Sequence, residues 1–178
     1  LISAGSIKGG NSNIYLKGNF TSDEIFTPES SHVYFNGTTL QTIGANISFN
    51  NTTIDNTSNV QMDGSISVSG TLTLTHGILN TKGFVANLGS TGVLVENSTN
   101  PTSYDPISYV IGNVRVVSIL MRNVANTFSG IGLELTESIK TNNSTEVIRS
   151  TGTAIVANGK SSTLRSFTIN PADDIGLN

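Results

Sequence analysis

Gly64-Ser65-Ile66-Ser67-Val68-Ser69-Gly70-Thr71-Leu72-Thr73-Leu74-Thr75-His76-Gly77 sets large apolar residues two apart, with a small polar residue between them and a glycine closing each run. Side chains at i and i+2 share one face of a strand, and the hydroxyl residue between them suits the opposite, wet face. The doublet recurs outward from this stretch: Ile14/Leu16, Val33/Phe35, Ile47/Phe49 and Val60/Met62 upstream, Val93/Val95 downstream. Gly18, Gly37, Gly83 and Gly89 follow short runs in the same way. Such residues accept positive φ and turn the chain sharply.

A longer period encloses the shorter one. Ile54, Val60, Ile66, Leu72, Ile78 and Phe84 fall six residues apart without a slip. Asn-Gly and Asp-Gly turns usually signal antiparallel hairpins, but a meander seldom holds one phase through six units. A coiled chain does, with three short sides per turn and a repeat of about 18 residues whose equivalent side chains stack into inward columns. The expectation is therefore an all-β chain opening with a parallel β-helix of about five coils, near 13–31, 32–46, 47–65, 66–83 and 84–98. The preference of parallel crossovers predicts a right-handed coil. Asn, Ser and Thr at equivalent corners are placed to hydrogen-bond to the coils above and below.

Composition agrees. Of 178 residues only 12% are charged and 36% hydrophobic, with no Cys and no Trp. A chain without cysteine has no disulfide framework, thiolate metal site or cysteine nucleophile. The net charge of -3 gives no basic field for nucleic acid. No apolar stretch approaches the roughly 18 residues of a membrane span.

The pattern breaks at Asn97-Ser98-Thr99-Asn100-Pro101, and the runs beyond it are longer, as in Val114-Arg115-Val116-Val117-Ser118-Ile119-Leu120 and Leu164-Arg165-Ser166-Phe167-Thr168-Ile169. Longer strands separated by Asn142-Asn143-Ser144 and Asn158-Gly159-Lys160 read as antiparallel sheet. The chain thus divides into a solenoid over 1–100, a linker over 101–108 and an antiparallel β-sandwich over 109–178, too short in strands to be complete. Residues 1–12, with Gly9-Gly10, read as part of a preceding coil.

Residues 60–89 resemble a stretch of the large surface proteins secreted by Bacteroidota, as do Val33-Tyr34-Phe35-Asn36-Gly37-Thr38 and Gln41-Thr42-Ile43. Tyr109-Val110-Ile111-Gly112-Asn113-Val114-Arg115 is similar to the linker after their coil. Phe128-Ser129-Gly130-Ile131-Gly132-Leu133, Leu164 to Pro171 and Gly176-Leu177-Asn178 are similar to the sandwich that follows. The resemblance implies a multidomain, exported protein of the cell surface, of a kind often associated with type IX secretion and called adhesins.

Catalytic chemistry is thinly represented. A β-helical glycan hydrolase or lyase needs carboxylates converging on one face of neighbouring coils. The acids of the regular coils, Asp55 and Asp63, are eight apart in a repeat near 18, on different sides. His32 and His76 have no carboxylate or second His at ligand spacing, which predicts solvent-facing imidazoles. Asp55-Asn56-Thr57-Ser58-Asn59 lacks the Gly and terminal Glu of an EF-hand and reads as a corner. Asp173-Asp174 reads as a turn, and Gly130-Ile131-Gly132 lacks the third Gly of a phosphate loop. Sequons stand at Asn19, Asn36, Asn46, Asn50, Asn51, Asn56, Asn97, Asn142 and Asn143. Tyr15 and Tyr34 are expected outward on adjacent coils, as cross-coil packing or as a sugar-stacking surface.

The expectation is a non-enzyme with no catalytic, cofactor-binding or metal residues and no cofactor: a structural or adhesive stalk at the extracellular surface of a bacterium. Its partners would be other segments of the same protein, neighbouring copies or surface glycans, with no nucleic acid and no membrane span. A subunit of an extracellular fibre or sheath is one alternative, and a glycan-binding or glycan-degrading β-helix another.

Overall fold

The computed structural model describes residues 6–21, 26–96, 108–119, 124–136, 144–157 and 160–172, and among these the regular elements are strands, with no helix. After β1 (Ile7–Lys8) the chain winds through coils that each begin on the same side. The first holds β2 (Asn13–Leu16), an isolated bridge at Phe20, and β3 (Phe26–Thr27). The second holds β4 (His32–Phe35), β5 (Gln41–Ile43) and β6 (Ser48–Phe49), and the third β7 (Asn51–Asp55), β8 (Val60–Met62) and β9 (Ile66–Val68). The fourth is β10 (Thr71–His76) with β11 (Leu79–Gly89), and the fifth is β12 (Val93–Glu96) with β13 (Val110–Ile119). Strands β2, β4, β7, β10 and β12 pair in parallel as one five-stranded face. Strands β5 and β8 with the start of β11 form a second face, and β6 and β9 with the end of β11 a third. Five stacked coils of a parallel β-solenoid result.

Register defines the inward columns. On the first face Ile14, Val33, Thr52, Leu72 and Leu94 stand above one another, as do Leu16, Phe35, Ile54, Leu74 and Glu96. Successive coils therefore take 19, 19, 20 and 22 residues. The expected 18-residue repeat is corrected to this longer one, and with it every coil boundary after residue 32. One cluster of buried apolar side chains runs from Phe26 through Phe35, Ile54, Leu72, Leu88 and Val116 to Val147. At about 1.5–3 kcal/mol for each fully buried aliphatic side chain, the core is a long sum of small layers.

Ile54, Val60, Ile66 and Leu72 are inward, each at most 1% exposed. The six-residue phase then fails. Strand β10 carries an irregularity between Leu74 and His76, which inserts one residue and passes the inward seat from Ile78 to Leu79. Leu79 is fully buried, Ile78 only partly, and Phe84 is 39% exposed. Gly77 permits this corner: its φ is +80, and a Cβ there would lie 1.9 Å from the Asn56 carbonyl oxygen. The Val93/Val95 doublet is likewise reversed. Leu94 faces inward at 3% exposure while Val93 and Val95 face out, because β12 docks with Leu94 beside Leu72 and Glu96 beside Leu74.

Beyond residue 108 the strands extend the solenoid's own sheet. Val110 and Ile111 pair in parallel with Leu79 and Asn80, and Asn113 to Val116 with the later part of β11. The parallel pairing thus continues past the linker expected at 101–108. Residues 124–136 form a hairpin of β14 (Ala125–Thr127) and β15 (Glu134–Thr136), with Phe128 and Ile131 in the core cluster. Strand β16 (Ser144–Ala157) then lies antiparallel to β13, and β17 (Lys160–Pro171) antiparallel to β16. The order β17-β16-β13-β11-β8-β5 is a single sheet, where a sandwich would set two sheets face to face.

Candidate binding face

The outer side of the first face carries the most distinctive surface chemistry. In-register pairing puts Tyr15 beside Tyr34, Thr53, Thr73 and Val95, and Asn13 beside His32, Asn51, Thr71 and Val93. The rings of Tyr15 and Tyr34 stack at 4.7 Å and 13°, and His32 stacks on Tyr34 at 4.1 Å and 14°. Tyr15 is 59% exposed, so both tyrosines are outward on adjacent coils as the sequence predicts. His32 is half-buried rather than solvent-facing. Its Nε2 lies 2.7 Å from Thr53 Oγ1 and its Nδ1 3.2 Å from the Tyr34 hydroxyl. Burial lowers its pKa below the ordinary 6.5, so a neutral imidazole sits between two hydroxyls that supply whichever role its tautomer lacks.

Asp55 and Asp63 do not converge. Asp55 ends β7 on the first face, and Asp63 follows β8 on the second. Each meets a base of the next coil: Asp55 Oδ1 lies 2.6 Å from His76 Nδ1, and Asp63 Oδ1 accepts from Lys82 Nζ at 3.3 Å. The expectation that His76 has no carboxylate is corrected, because stacking joins residues 21 apart that no local spacing reveals. These pairs are about half exposed and contribute little to stability. Residues 55–59 form the corner between β7 and β8. Its Asn56 amide donates to Thr39 O and Gln41 Oε1 while its oxygen accepts from Ser58 N. Among the described residues no three of His, Cys, Asp and Glu gather as a metal site.

The corner amides and hydroxyls join coil to coil, as expected. Gln41, fully buried, donates to Leu16 O and Gly18 O and accepts from Gly37 N. Asn51 Oδ1 accepts from Thr71 N, Asn59 Oδ1 from Ile78 N, and Thr52 Oγ1 donates to Val33 O. Of the sequons, Asn56 is fully buried and committed to these bonds. Asn97, Asn142, Asn143, Asp173 and Asp174 lie outside the described residues. Gly130 and Gly132 shape the β14–β15 turn, beside a shallow hollow lined by Phe128, Leu133 and Glu134. At Gly130, φ +80, a Cβ would meet the Leu94 carbonyl oxygen at 2.1 Å.

The buried ion network at the last coil is absent from the sequence reading. Glu96, whose side chain is 7% exposed, occupies the fifth place of an otherwise apolar column. It accepts from Arg149 Nη1 and Nη2 at 2.9 and 2.7 Å, from Arg165 Nη2 at 3.0 Å and from Val110 N at 2.8 Å. Arg149 is fully buried, and its Nε has no hydrogen-bond partner among the described residues. The signal was present: Thr145, Val147, Arg149 and Thr151 share the buried phase of β16, so period two alone assigns Arg149 an inward seat and demands an acid opposite. On the outer side of the same strands Glu146 pairs with Arg115 and accepts from Asn170 Nδ2 at 3.1 Å, and Arg115 Nη1 also donates to Asn87 Oδ1 at 3.1 Å. The Arg115 hydrogen bond holds the Glu146 carboxyl below its ordinary 4.5.

Taken together, the described surface offers stacked aromatics, hydroxyls and amides in rows, with Asp55 and Asp63 of the middle coils each in contact with a basic side chain of the next coil. It defines the chain as a β-solenoid with a candidate binding face. No protein-family model, curated protein or solved structure matches it.

Proposed function

We propose that the chain is a non-catalytic structural or adhesive segment of an extracellular bacterial surface protein, acting as a rigid stalk. The observation that carries the reading is the unbroken core cluster through all five coils, cross-linked from coil to coil by buried side-chain hydrogen bonds such as those of Gln41, Thr52 and Asn56. A rod built this way bends only by breaking many layers at once. The resemblance of residues 60–89 to surface proteins of Bacteroidota supports the extracellular placement and export by type IX secretion. A right-handed coil belongs to the same reading, as does a sandwich completed by chain or partner beyond the described strands.

The stalk reading expects no release of reducing ends from a panel of plant, algal and microbial polysaccharides, by the wild type or by Asp55→Asn and Asp63→Asn alike. Release that either substitution abolishes would overturn it. Glycan binding without cleavage is the second reading, favoured by the exposed Tyr15 ring stacked on Tyr34, since sugar C–H faces stack on aromatic rings. Retention on immobilised glycan lost in Tyr15→Ala would establish it. A fibre grown by stacking coil on coil is less favoured, because Phe128 and Ile131 close the last coil.

A further inference from the structure

We infer that Asn36-Gly37 is a site of spontaneous covalent modification, a deamidation site that the fold holds shut through Gln41 and that opening of the 37–41 corner exposes. The argument does not depend on the stalk reading. It rests on the chemistry of one dipeptide and on the bonds that surround it.

An asparagine followed by glycine is especially prone to this reaction, because a residue without Cβ leaves the approach of its nitrogen unhindered. Gly37 N gives up its proton and attacks Asn36 Cγ, a cyclic succinimide closes, and the side-chain nitrogen leaves as ammonia. Water then opens the ring at one of its two carbonyls. One opening gives aspartate at position 36. The other gives isoaspartate, in which the main chain runs through the side-chain carbon and is longer by that carbon.

The attack needs a free Gly37 N–H and a peptide that can rotate toward its own side chain. The fold denies both. Gly37 N donates to Gln41 Oε1 at 2.8 Å, and Gln41 is fully buried. That acceptor is itself fixed from the coil before and the coil after. Gln41 Nε2 donates to Leu16 O at 3.0 Å and Gly18 O at 2.6 Å, and Oε1 also accepts from Asn56 Nδ2 at 2.9 Å. At the other end of the same peptide, Asn36 O accepts from Lys17 Nζ at 2.9 Å. There is no room to swing either. Gly37 is buried, and a Cβ there would lie 2.7 Å from Lys17 O and 2.9 Å from the Gln41 side chain.

The product cannot close again as before. Asn36 N donates to Leu16 O and Gly37 N to Gln41 Oε1, so the spacing between two successive nitrogens is set by the coil beneath. An isoaspartate lengthens that spacing and forfeits one of the bonds. The change is irreversible, so it accumulates as a record of each time the corner has opened.

Incubation of the 178-residue chain in mildly alkaline buffer, with mass spectrometry of the peptide that holds position 36, tests this. Conversion in the folded chain should be about tenfold or more slower than in the same chain held in urea. Gln41→Met keeps the bulk of the side chain and lacks the acceptor. With circular dichroism showing it folded, its rate should rise toward the urea value. Should that variant fail to fold, the wild type supplies a second measurement. Across urea concentrations below the unfolding transition, the conversion rate at Asn36 should rise in proportion to hydrogen exchange at Gly37 N–H, since both require the same opening. Equal rates in buffer and in urea would overturn the inference. So would a folded Gln41→Met that converts no faster than wild type, or a conversion rate that does not follow Gly37 exchange.

Discussion

Ile14 and Leu16 begin the two inward columns of the first face, and Leu94 and Glu96 end them. The two ends are treated very differently. Ile14 and Leu16 remain half-buried, although Val33 and Phe35 directly behind them are at most 1% exposed. Leu94 is 3% exposed, its N–H donates to Ser129 O in the β14–β15 turn, and Phe128 and Ile131 join its core. Glu96 beside it is met by two arginines from β16 and β17. Each added coil of a solenoid covers the last and exposes a new face of equal size. Closing the stack requires an element that does not repeat, and the hairpin with its arginine wall is that element. Among the described residues the first coil has no counterpart.

The largest effect tests the columns that both ends share. Leu72→Asp buries a carboxylate at a site that is fully enclosed, between Thr52 and Leu94 of the neighbouring coils, and should abolish cooperative folding. Thr73→Asp, one residue along on the outer face, should shift the melting temperature little. Equal behaviour of the two variants in thermal denaturation would overturn the inward assignment. Next comes the cap. Arg149→Ala leaves Glu96 enclosed with Arg165 as its remaining charged partner, and removing one member of a buried pair costs about 3–5 kcal/mol. Urea denaturation should show that loss. Arg149→Met, which keeps the volume but not the charge, should recover only part of it.

The ends themselves can be compared by truncating one leucine at each. Leu94→Ala should cost about 2–5 kcal/mol, the range for an enclosed leucine. Leu16→Ala, at a position already open to water, should cost about 1 kcal/mol. Equal losses in chemical denaturation would mean that the first coil is covered by something in solution, and the contrast between the ends would dissolve.

The middle of this molecule was legible and its ends were not, for identifiable reasons. Between Ile54 and Leu72 each strand contributes one apolar doublet and each corner a fixed number of residues, so periodicity alone places the core. One inserted residue at Thr75 ends that regularity and turns Phe84 outward. At β12 the side-chain sequence Val-Leu-Val-Glu favours valines inward if β12 is read alone. The observed phase depends on Arg149, 53 residues later, satisfying Glu96. The Asp55–His76 pair is hidden in the same way, since coil stacking makes neighbours of residues that no linear motif joins. The tyrosine stack was foreseeable because it follows from phase alone. The sheet at 109–178 was read correctly as antiparallel in β16 and β17, but strand length carries no information on whether they begin a new layer or extend an old one.

The smallest expected effect sets the two ends against each other in acid. His32 sits on the second coil with a pKa lowered by burial from 6.5. The unfolded chain therefore binds more protons there, and stability falls as the pH drops below 6.5 and through the folded pKa. Glu146, at the capped end, is held below 4.5 chiefly by its hydrogen bond from Arg115. Its contribution is intact above 4.5 and is lost as the pH falls through the lower folded value. Hydrogen exchange read region by region should accordingly show β4 and β7 loosening first, as the pH falls below 6.5, and β13 and β16 only below 4.5. His32→Gln should remove the first step and leave the second. Glu146→Gln should do the reverse. Loss of both steps in one variant would mean that the coils unfold as a single unit, with the first coil and the capped end sharing one stability rather than two.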